Sequence, residues 1–250
     1  MRVIDEIKQF TYDAYVTLLN YLSEHYNIIS FNQVHEAKKP YLLIRHDVDA
    51  SIDHALKMAK IEEELGISST YFLLFSNRFY NLLEKNTYQK LLNLVEFGRE
   101  IGLHYDLEVY DNYNLLNVDY LENEIKLLSL LTKKDINLIS VHNPSINNKE
   151  DPYAKSSQYI NTYNKDMHDL YVTDSCRSWY MDDLEKLINF ESDRVQLVIH
   201  PLLWNQNKIN SDELIDAFLA DQNQSNITYG DYWKNVWRNH EKVIEYVRRL

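Results

Sequence analysis

The sequence contains one cysteine, four glycines and four prolines among its 250 residues. The single Cys176 excludes an intrachain disulfide and a cysteine-rich zinc site. The scarcity of glycine excludes the glycine-rich loops that bind phosphate groups. Linkers of Gly, Ser or Pro character, low-complexity tracts and internal repeats are also absent, so we expect one domain over 1–250.

Basic charge is scarce as well. The chain carries 26 Lys and Arg residues against 38 Asp and Glu, which gives a formal net charge of −12. This balance argues against nucleic acid or an anionic membrane as the main partner, because both are bound through basic patches. No apolar run is long enough for a membrane span, and acidic residues stand where a signal peptide would have its apolar core. We therefore expect a cytoplasmic protein, of an oligomeric state that the sequence does not indicate.

What the sequence does contain is an alternation of strand-like and helix-like segments. Apolar runs predict strands at 41–46, 70–75, 100–104, 136–142, 170–174 and 195–200. Helical spacing predicts helices at about 4–25, 52–66, 87–97, 118–132 and 181–189, and in two pieces over 212–250. This alternation is typical of a parallel sheet, open or closed into a barrel, with the terminal helices packed on it.

Five of the predicted strands end at polar or ionisable residues. The first leads into Asp47-Val48-Asp49, and the others end at His104, His142, Asp174 and His200. Because the carboxyl ends of parallel strands meet on one face, we expect these side chains to share a site.

Imidazoles and a carboxylate that meet with room for water are typical of a catalytic zinc site or a related divalent metal site. The metal lowers the pKa of its bound water from about 15.7 toward about 7. A second carboxylate can accept the proton, and a histidine can protonate a leaving amine. The set therefore predicts hydrolysis of an amide or ester, with zinc favoured by the number of histidines.

Five blocks of the sequence, in this order and spacing, resemble the polysaccharide deacetylase-like family of NodB-type carbohydrate deacetylases. The resemblance is closest to its WbmS-like branch, which is associated with surface-polysaccharide biosynthesis. It covers about 41–204 and rests on Arg45-His46-Asp47-Val48-Asp49, Ser69-Thr70-Tyr71-Phe72, Glu100-Ile101-Gly102-Leu103-His104, Tyr171-Val172-Thr173-Asp174-Ser175 and Ile199-His200-Pro201.

The resemblance implies a distorted, incomplete (β/α) barrel of about seven strands. It also implies metal-dependent removal of an N-acyl group, acetyl or formyl, from a sugar. The resemblance leaves open whether that sugar is a nucleotide-linked monosaccharide, a lipid-linked chain or a polymer. Carried over by position, Asp47 is the general base, Asp49 and His104 are metal ligands and His200 is the general acid. Asp174 would orient His200 or the substrate.

The chain departs from the family pattern at the second histidine ligand, which normally lies four residues after the first. Glu108 occupies that position here, and Asp106 is nearby. His142 falls where the family usually has an arginine-bearing block. We therefore infer that His142 supplies the third ligand, with Glu108 or Asp106 as rivals.

The block that contains His142 therefore lacks the family's arginine, which would orient Asp47. Arg45 or Arg177 can take its place, and both are candidates for substrate contact. Trp179 is expected to line the sugar pocket, because flat sugar faces pack on aromatic rings.

Two other functions compete with N-deacylation. Asp47 and Asp49 also form an Asp-x-Asp sequence of the kind that binds Mn²⁺ or Mg²⁺ in nucleotide-sugar glycosyltransferases. The strand-end histidines disfavour that function. The glutamate at position 108 instead favours a non-catalytic sugar-binding protein with a degenerate site.

Overall fold

The computed structural model describes residues 2–112, 120–144, 151–154 and 156–238. The chain divides into two compact units, Met1–Lys208 and Ile209–Leu250. The second unit contains one described helix, Ser211–Arg238, where the sequence predicts two pieces over 212–250; residues 239–250 lie outside the described part. Among the described residues, every helix is too short or too polar to cross a bilayer. One domain over 1–250 stays a prediction.

The described residues of the first unit form a sheet of eight strands, all of them parallel. In chain order they are β1 (Asn27–Ile29), β2 (Tyr41–Val48), β3 (Thr70–Leu74), β4 (Glu100–Tyr105), β5 (Leu138–Val141), β6 (Ile160–Asn161), β7 (Leu170–Thr173) and β8 (Arg194–Ile199).

The strand order is β6-β5-β4-β3-β2-β8-β7, and β1 pairs with the start of β2. The described parts of β6 and β7 stand at opposite ends of this order, so the barrel is not closed. The structure therefore confirms the predicted incomplete (β/α) barrel of about seven strands. All six predicted strands are present, whereas β1 and β6, of three and two residues, are too short to give a periodic pattern.

Seven described helices of the first unit surround the sheet: α1 (Arg2–Ile7), α2 (Tyr12–Ser23), α3 (Ile52–Leu65), α4 (Lys85–Glu96), α5 (Leu107–Asn112), α6 (Tyr120–Thr132) and α7 (Met181–Ile188). The single helix predicted at 4–25 is thus two helices. The reason is local: Phe10 adopts a positive φ of 52°, and the Thr11 hydroxyl accepts from the Ala14 amide and begins α2.

The helix that follows β2 is set by its two ends. Ser51 accepts from the His54 amide at the start of α3, and Gly66 ends the helix in the left-handed conformation at φ 67°. Only Asp49, Ala50 and Ser51 separate β2 from α3. This short connection fixes the position of the carboxyl end of β2, where the parallel strands of the sheet end.

The two faces of the sheet are covered differently. Leu42 and Ile44 of β2 pack with residues of α2 and α7 on the helix-covered face. Leu43 belongs instead to a smaller cluster with Phe72 and Leu138, on the inner face of the barrel. The alternation follows from the period of two in a strand, and it places the odd-numbered residues of β2 on the inner face.

Candidate metal centre

Arg45, Asp47 and Asp49 continue this odd-numbered series at the carboxyl end of β2. His104 lies near the end of β4, and His142 directly follows β5. Strand ends of a parallel barrel meet on one face, and here they bring carboxylates and imidazoles together.

Asp49, His104 and His142 form one group whose ligand atoms all lie within 4.8 Å of one another. His104 Nε2 is 3.3 Å and His142 Nδ1 is 3.4 Å from Asp49 Oδ1. The two imidazole nitrogens are 3.2 Å apart. In the described part of the chain, this is the one such group of three potential ligands.

The group has the chemistry that a divalent cation requires. His104 Nδ1 lies 2.9 Å from the Ser140 carbonyl oxygen, an acceptor, so Nδ1 carries the proton and the lone pair of Nε2 faces the group. Asp49 Oδ1 is buried and makes no hydrogen bond with another described residue. One carboxylate and two imidazoles are a donor set of catalytic zinc sites, which leaves further positions for water and substrate.

Charge also favours cation binding at Asp49. Burial alone raises the pKa of this carboxyl, but the neighbouring imidazoles of His104 and His142 outweigh burial and lower its pKa below the ordinary 3.8. The same contact has the opposite effect on His142: burial lowers the pKa of the imidazole, and its interaction with Asp49 raises it above 6.5. Asp49 is therefore an anion at neutral pH.

The backbone around Asp49 is held by the loop after β3. The Tyr80 hydroxyl donates to the Val48 carbonyl at 2.7 Å and accepts from the Leu74 amide at 2.9 Å. The Asn77 side chain donates to the carbonyl of Asp49 itself. Asn77 and Tyr80 thus fix the position from which the Asp49 carboxylate enters the site.

Asp47 is held by Arg45, two residues earlier on the same strand. Arg45 Nε and one terminal nitrogen donate to the two oxygens of Asp47, each at 2.7 Å. Burial alone raises the pKa of Asp47, but the charge of Arg45 outweighs it and lowers the pKa below 3.8. Asp47 Oδ2 lies 3.8 Å from His104 Nε2, beside the candidate ligands. Arg45 therefore takes the orienting position, for which Arg177 was the other candidate.

The guanidinium of Arg45 is fully buried and packed between two rings. Its central carbon is 4.8 Å from the ring centroid of Tyr163 and 5.6 Å from that of Phe72. Thr162 and Tyr163 accept its remaining hydrogen bonds, at 3.0 and 3.2 Å. Gly102 makes room for this packing, since a Cβ at that position would lie 2.3 Å from the Phe72 ring.

His200 lies on the other side of Asp49, with its Nε2 3.8 Å from Asp49 Oδ2. Its Nδ1 is 2.6 Å from the buried carboxylate of Asp174, which also accepts from the His200 amide and the Trp204 indole. Burial alone lowers the pKa of His200, but the charge and hydrogen bond of Asp174 raise it to about 9. Asp174 thus orients His200, and His200 is protonated at neutral pH.

The rival ligands do not join Asp49 and His104. Asp106 Oδ1 accepts from the amide of Glu108 at 2.9 Å, at the start of α5, and Glu108 is exposed. The three potential ligands that come together include His142 instead.

Trp179 is placed differently from the prediction. It is only 6% exposed and stacks on Phe10 with ring centroids 5.8 Å apart, in the core that contains Trp204. A buried ring offers little surface to a sugar, so packing explains Trp179 better than substrate contact. Arg177 is half-buried, and its guanidinium lies over the Phe10 ring at 5.5 Å.

The opposite face of β2 carries a second buried polar cluster. His46 Nε2 lies 2.6 Å from Glu62 Oε1, and its ring stacks on Tyr71 with centroids 4.2 Å apart. Glu62 also accepts from the hydroxyls of Tyr15, Ser69 and Tyr71, at 2.6, 2.5 and 2.9 Å. We call His46, Glu62, Tyr15, Ser69 and Tyr71 the closed cluster, and Asp47, Asp49, His104, His142 and His200 the open cluster.

Several residues that shape the open cluster are missing from the sequence prediction: Asn77, Tyr80, Ser140, Thr162 and Tyr163. Each acts through a hydrogen bond whose partner is distant in sequence, so no spacing reveals it. Arg45, which the sequence does predict, differs from these residues because the Arg-x-Asp-x-Asp alternation puts all three charged groups on one face of a strand.

No family model and no curated protein matches this chain. Solved structures with similarity to it include a family 4 carbohydrate esterase from Bacillus anthracis, at 12% identity and a TM-score of 0.43, covering 84% of this chain and 86% of that chain. A CE4 family pseudoenzyme from Bacillus anthracis has 14% identity and a TM-score of 0.43 over 75% of this chain. A mutant of a CE4 family pseudoenzyme with restored enzymatic activity has the same identity and TM-score over 76%. The chain spans 62% and 64% of these two pseudoenzyme chains.

Proposed function

We propose that this protein is a metal-dependent hydrolase that removes an N-acyl group, acetyl or formyl, from a carbohydrate in surface-polysaccharide biosynthesis. One observation carries the proposal: a carboxylate and two imidazoles, with ligand atoms within 4.8 Å of one another, lie between a second carboxylate, Asp47, and a histidine with a raised pKa, His200. This is the arrangement that hydrolysis of an amide needs, with a base on one side and an acid on the other.

Asp49, His104 and His142 would hold the cation, and zinc suits two imidazoles and a carboxylate best. When bound, such a cation supplies Lewis acidity that makes water acidic near neutral pH and polarises an acyl carbonyl.

Asp47 is the general base in this proposal. Its carboxylate is ionised and is held in one orientation by both donors of Arg45. Its Oδ2 lies on the side of the cluster where His104 is found. A water molecule beside the cluster would lose its proton to this oxygen as it attacks the acyl carbon.

His200 is the general acid. Its Nδ1 hydrogen-bonds to Asp174, which leaves Nε2 directed toward Asp49 and able to donate. A proton on Nε2 would pass to the amine nitrogen as the carbon–nitrogen bond breaks. Asp174 keeps the ring in place and stabilises its charge, since Trp204 and the His200 amide fix that carboxylate in turn.

The substrate class follows from the resemblance, and Arg177 lies in the turn that follows β7. We propose an N-acylated sugar precursor, nucleotide-linked or lipid-linked, and a cytoplasmic location for the reaction. Arg177 would contact the anionic part of such a precursor.

A hydrolysis assay on N-acetylated and N-formylated amino sugars tests the proposal. We expect amine release by the zinc-loaded protein, loss of release after chelation, and its return when zinc is added. A cation that binds only with a nucleoside diphosphate would support a glycosyltransferase instead. Zinc binding without release from any N-acyl sugar would support a sugar-binding protein.

A further inference from the structure

The residue after His142 contacts the imidazole nitrogen that faces away from the cluster. Asn143 Nδ2 lies 2.9 Å from His142 Nε2, and this amide is the polar partner of Nε2 in the described part of the chain. The His142 amide donates to the Tyr105 carbonyl at 2.8 Å, which fixes the backbone beside β4. Asn143 has a φ of 45°, a left-handed conformation in which asparagine is enriched.

An imidazole that ligates through Nδ1 must carry its proton on Nε2, and that proton needs an acceptor. The side-chain amide of asparagine can donate to Nε2 or accept from it, because half a turn about its last bond exchanges the nitrogen and the oxygen. With Nδ2 toward Nε2, the amide donates and the imidazole proton is on Nδ1, 3.2 Å from His104 Nε2. With Oδ1 toward Nε2, the amide accepts and Nδ1 is free.

We propose that Asn143 is a positioning residue for His142 and selects its tautomer. In this structure the amide nitrogen lies toward Nε2, which places the proton of His142 on Nδ1, facing His104. When Nδ1 serves as a ligand, the amide turns over and its oxygen accepts from Nε2–H. This role rests on the proposed metal site, but the tautomer itself is a property of the metal-free chain.

Two substitutions separate this role from a merely structural one. Asn143→Gly removes the amide and tolerates the positive φ, so the backbone conformation is kept. Asn143→Asp supplies a carboxylate, which only accepts and therefore favours the proton on Nε2. Lys133→Gly is the matched control, because Lys133 is also exposed at a positive φ of 55° but follows α6, away from the strand ends that form the site.

The test is zinc affinity by competition with a chromophoric chelator, together with the ¹⁵N shifts of His142 in metal-free protein at a pH that leaves the ring neutral. We expect Asn143→Gly to bind zinc about 10- to 100-fold more weakly, and Asn143→Asp and Lys133→Gly to bind at least as tightly as wild type. We expect the Nδ1–H tautomer in wild type and the Nε2–H tautomer in Asn143→Asp.

Equal zinc affinity of Asn143→Gly and wild type would overturn the inference and leave the proposed function intact. Failure of wild type to bind zinc would overturn the proposed function, and the ¹⁵N shifts would still decide the role of Asn143. The same His142 tautomer in wild type and in Asn143→Asp would contradict that role.

Discussion

The strand β2 carries buried polar groups on both faces, and the two groups differ in one respect. In the closed cluster, the Glu62 carboxylate accepts hydrogen bonds from three hydroxyls and forms ion pairs with His46 and Arg99, and the side chains of all five partners are almost completely buried. In the open cluster, Asp49 Oδ1 accepts no hydrogen bond from the described residues, and its side chain is 33% exposed. The Glu62 carboxylate thus uses both of its oxygens within the chain, although His46 Nδ1 makes no hydrogen bond with a described residue. The open cluster differs because its unused atom is a carboxylate oxygen beside two imidazoles.

Neighbouring residues of β2 therefore have different roles: His46 contributes to stability on one face, and Asp47 contributes to the candidate site on the other. A buried carboxylate with its hydrogen bonds made contributes to a single folded structure, because leaving any partner alone is unfavourable. A carboxylate with an unused oxygen beside imidazoles can instead accept a cation from solution. Substitutions in the closed cluster should therefore change unfolding, and substitutions in the open cluster should change activity.

The largest expected effect is on activity, for His200→Ala. Loss of the general acid should lower kcat by about 10²- to 10⁴-fold. The free energy of unfolding should fall as well, because the buried Asp174 loses its charged partner and keeps only the Trp204 indole and the backbone amide at position 200 as donors. Steady-state kinetics and urea denaturation measure the two quantities. Unchanged kcat would remove His200 from the mechanism.

Glu62→Gln should have the largest effect on stability. Loss of the buried carboxylate leaves His46 and the three hydroxyls without a charged partner, and the free energy of unfolding should fall by about 3–5 kcal/mol. Zinc affinity should stay at the wild-type value, because Glu62 lies on the opposite face of β2. A weaker zinc affinity with unchanged unfolding would reverse the comparison.

The same variant should change the pH dependence of unfolding. Burial alone raises the pKa of Glu62, but His46 and the hydroxyl donors outweigh it and lower the pKa below the ordinary 4.5. A lowered folded-state pKa contributes stability above about 4.5 that is lost as pH falls through the folded value. The free energy of unfolding of wild type should thus fall more steeply on acidification than that of Glu62→Gln, which has no carboxyl group at this position. Parallel curves for the two proteins would contradict this assignment.

Gly102→Ala should have an intermediate effect, and it should change both stability and activity. The added methyl group meets the Phe72 ring, which packs against Arg45 and so bears on the orientation of Asp47. We expect a loss of about 1–3 kcal/mol in stability from overpacking and a fall in kcat. Gly98→Ala is the control: its Cβ meets no atom within 4 Å, so its strain at φ 72° should lower stability without lowering kcat.

Tyr80→Phe should have the smallest effect on the site, although its loss of stability should be similar to that of Gly102→Ala. Removal of the hydroxyl leaves the Val48 carbonyl and the Leu74 amide without their partner, and about 1–3 kcal/mol of stability should be lost. Because Val48 precedes Asp49, zinc affinity should fall slightly as well. A calorimetric titration measures this, and tighter zinc binding would show that Tyr80 does not position Asp49.

The fold and the edge that carries the site could be predicted because long apolar runs ending at polar residues are local signals. Strands β2, β3, β4, β5, β7 and β8 all follow such runs. The environment of each residue at that edge is not local. The sequence predicts Trp179 in the sugar pocket. The structure shows that it is buried, because it packs with Phe10 and Trp204.

The choice among His142, Glu108 and Asp106 was open for the same reason. Glu108 has the spacing of the resemblance, but Asp106 begins a helix there and the glutamate is exposed. His142 approaches because β5 pairs with β4, so the ends of the two strands meet. The register between strands decides which side chain approaches Asp49 and His104, and a register cannot be read from the spacing within one strand.

The most direct test is the metal content of the purified wild type beside Asp49→Ala, His104→Ala, His142→Ala and Glu108→Ala, with Glu62→Gln as a control. The open cluster predicts one zinc ion per chain in wild type, Glu108→Ala and Glu62→Gln, and loss of the ion in the other three. Zinc retained by His142→Ala and lost from Glu108→Ala, or no zinc in wild type, would contradict it.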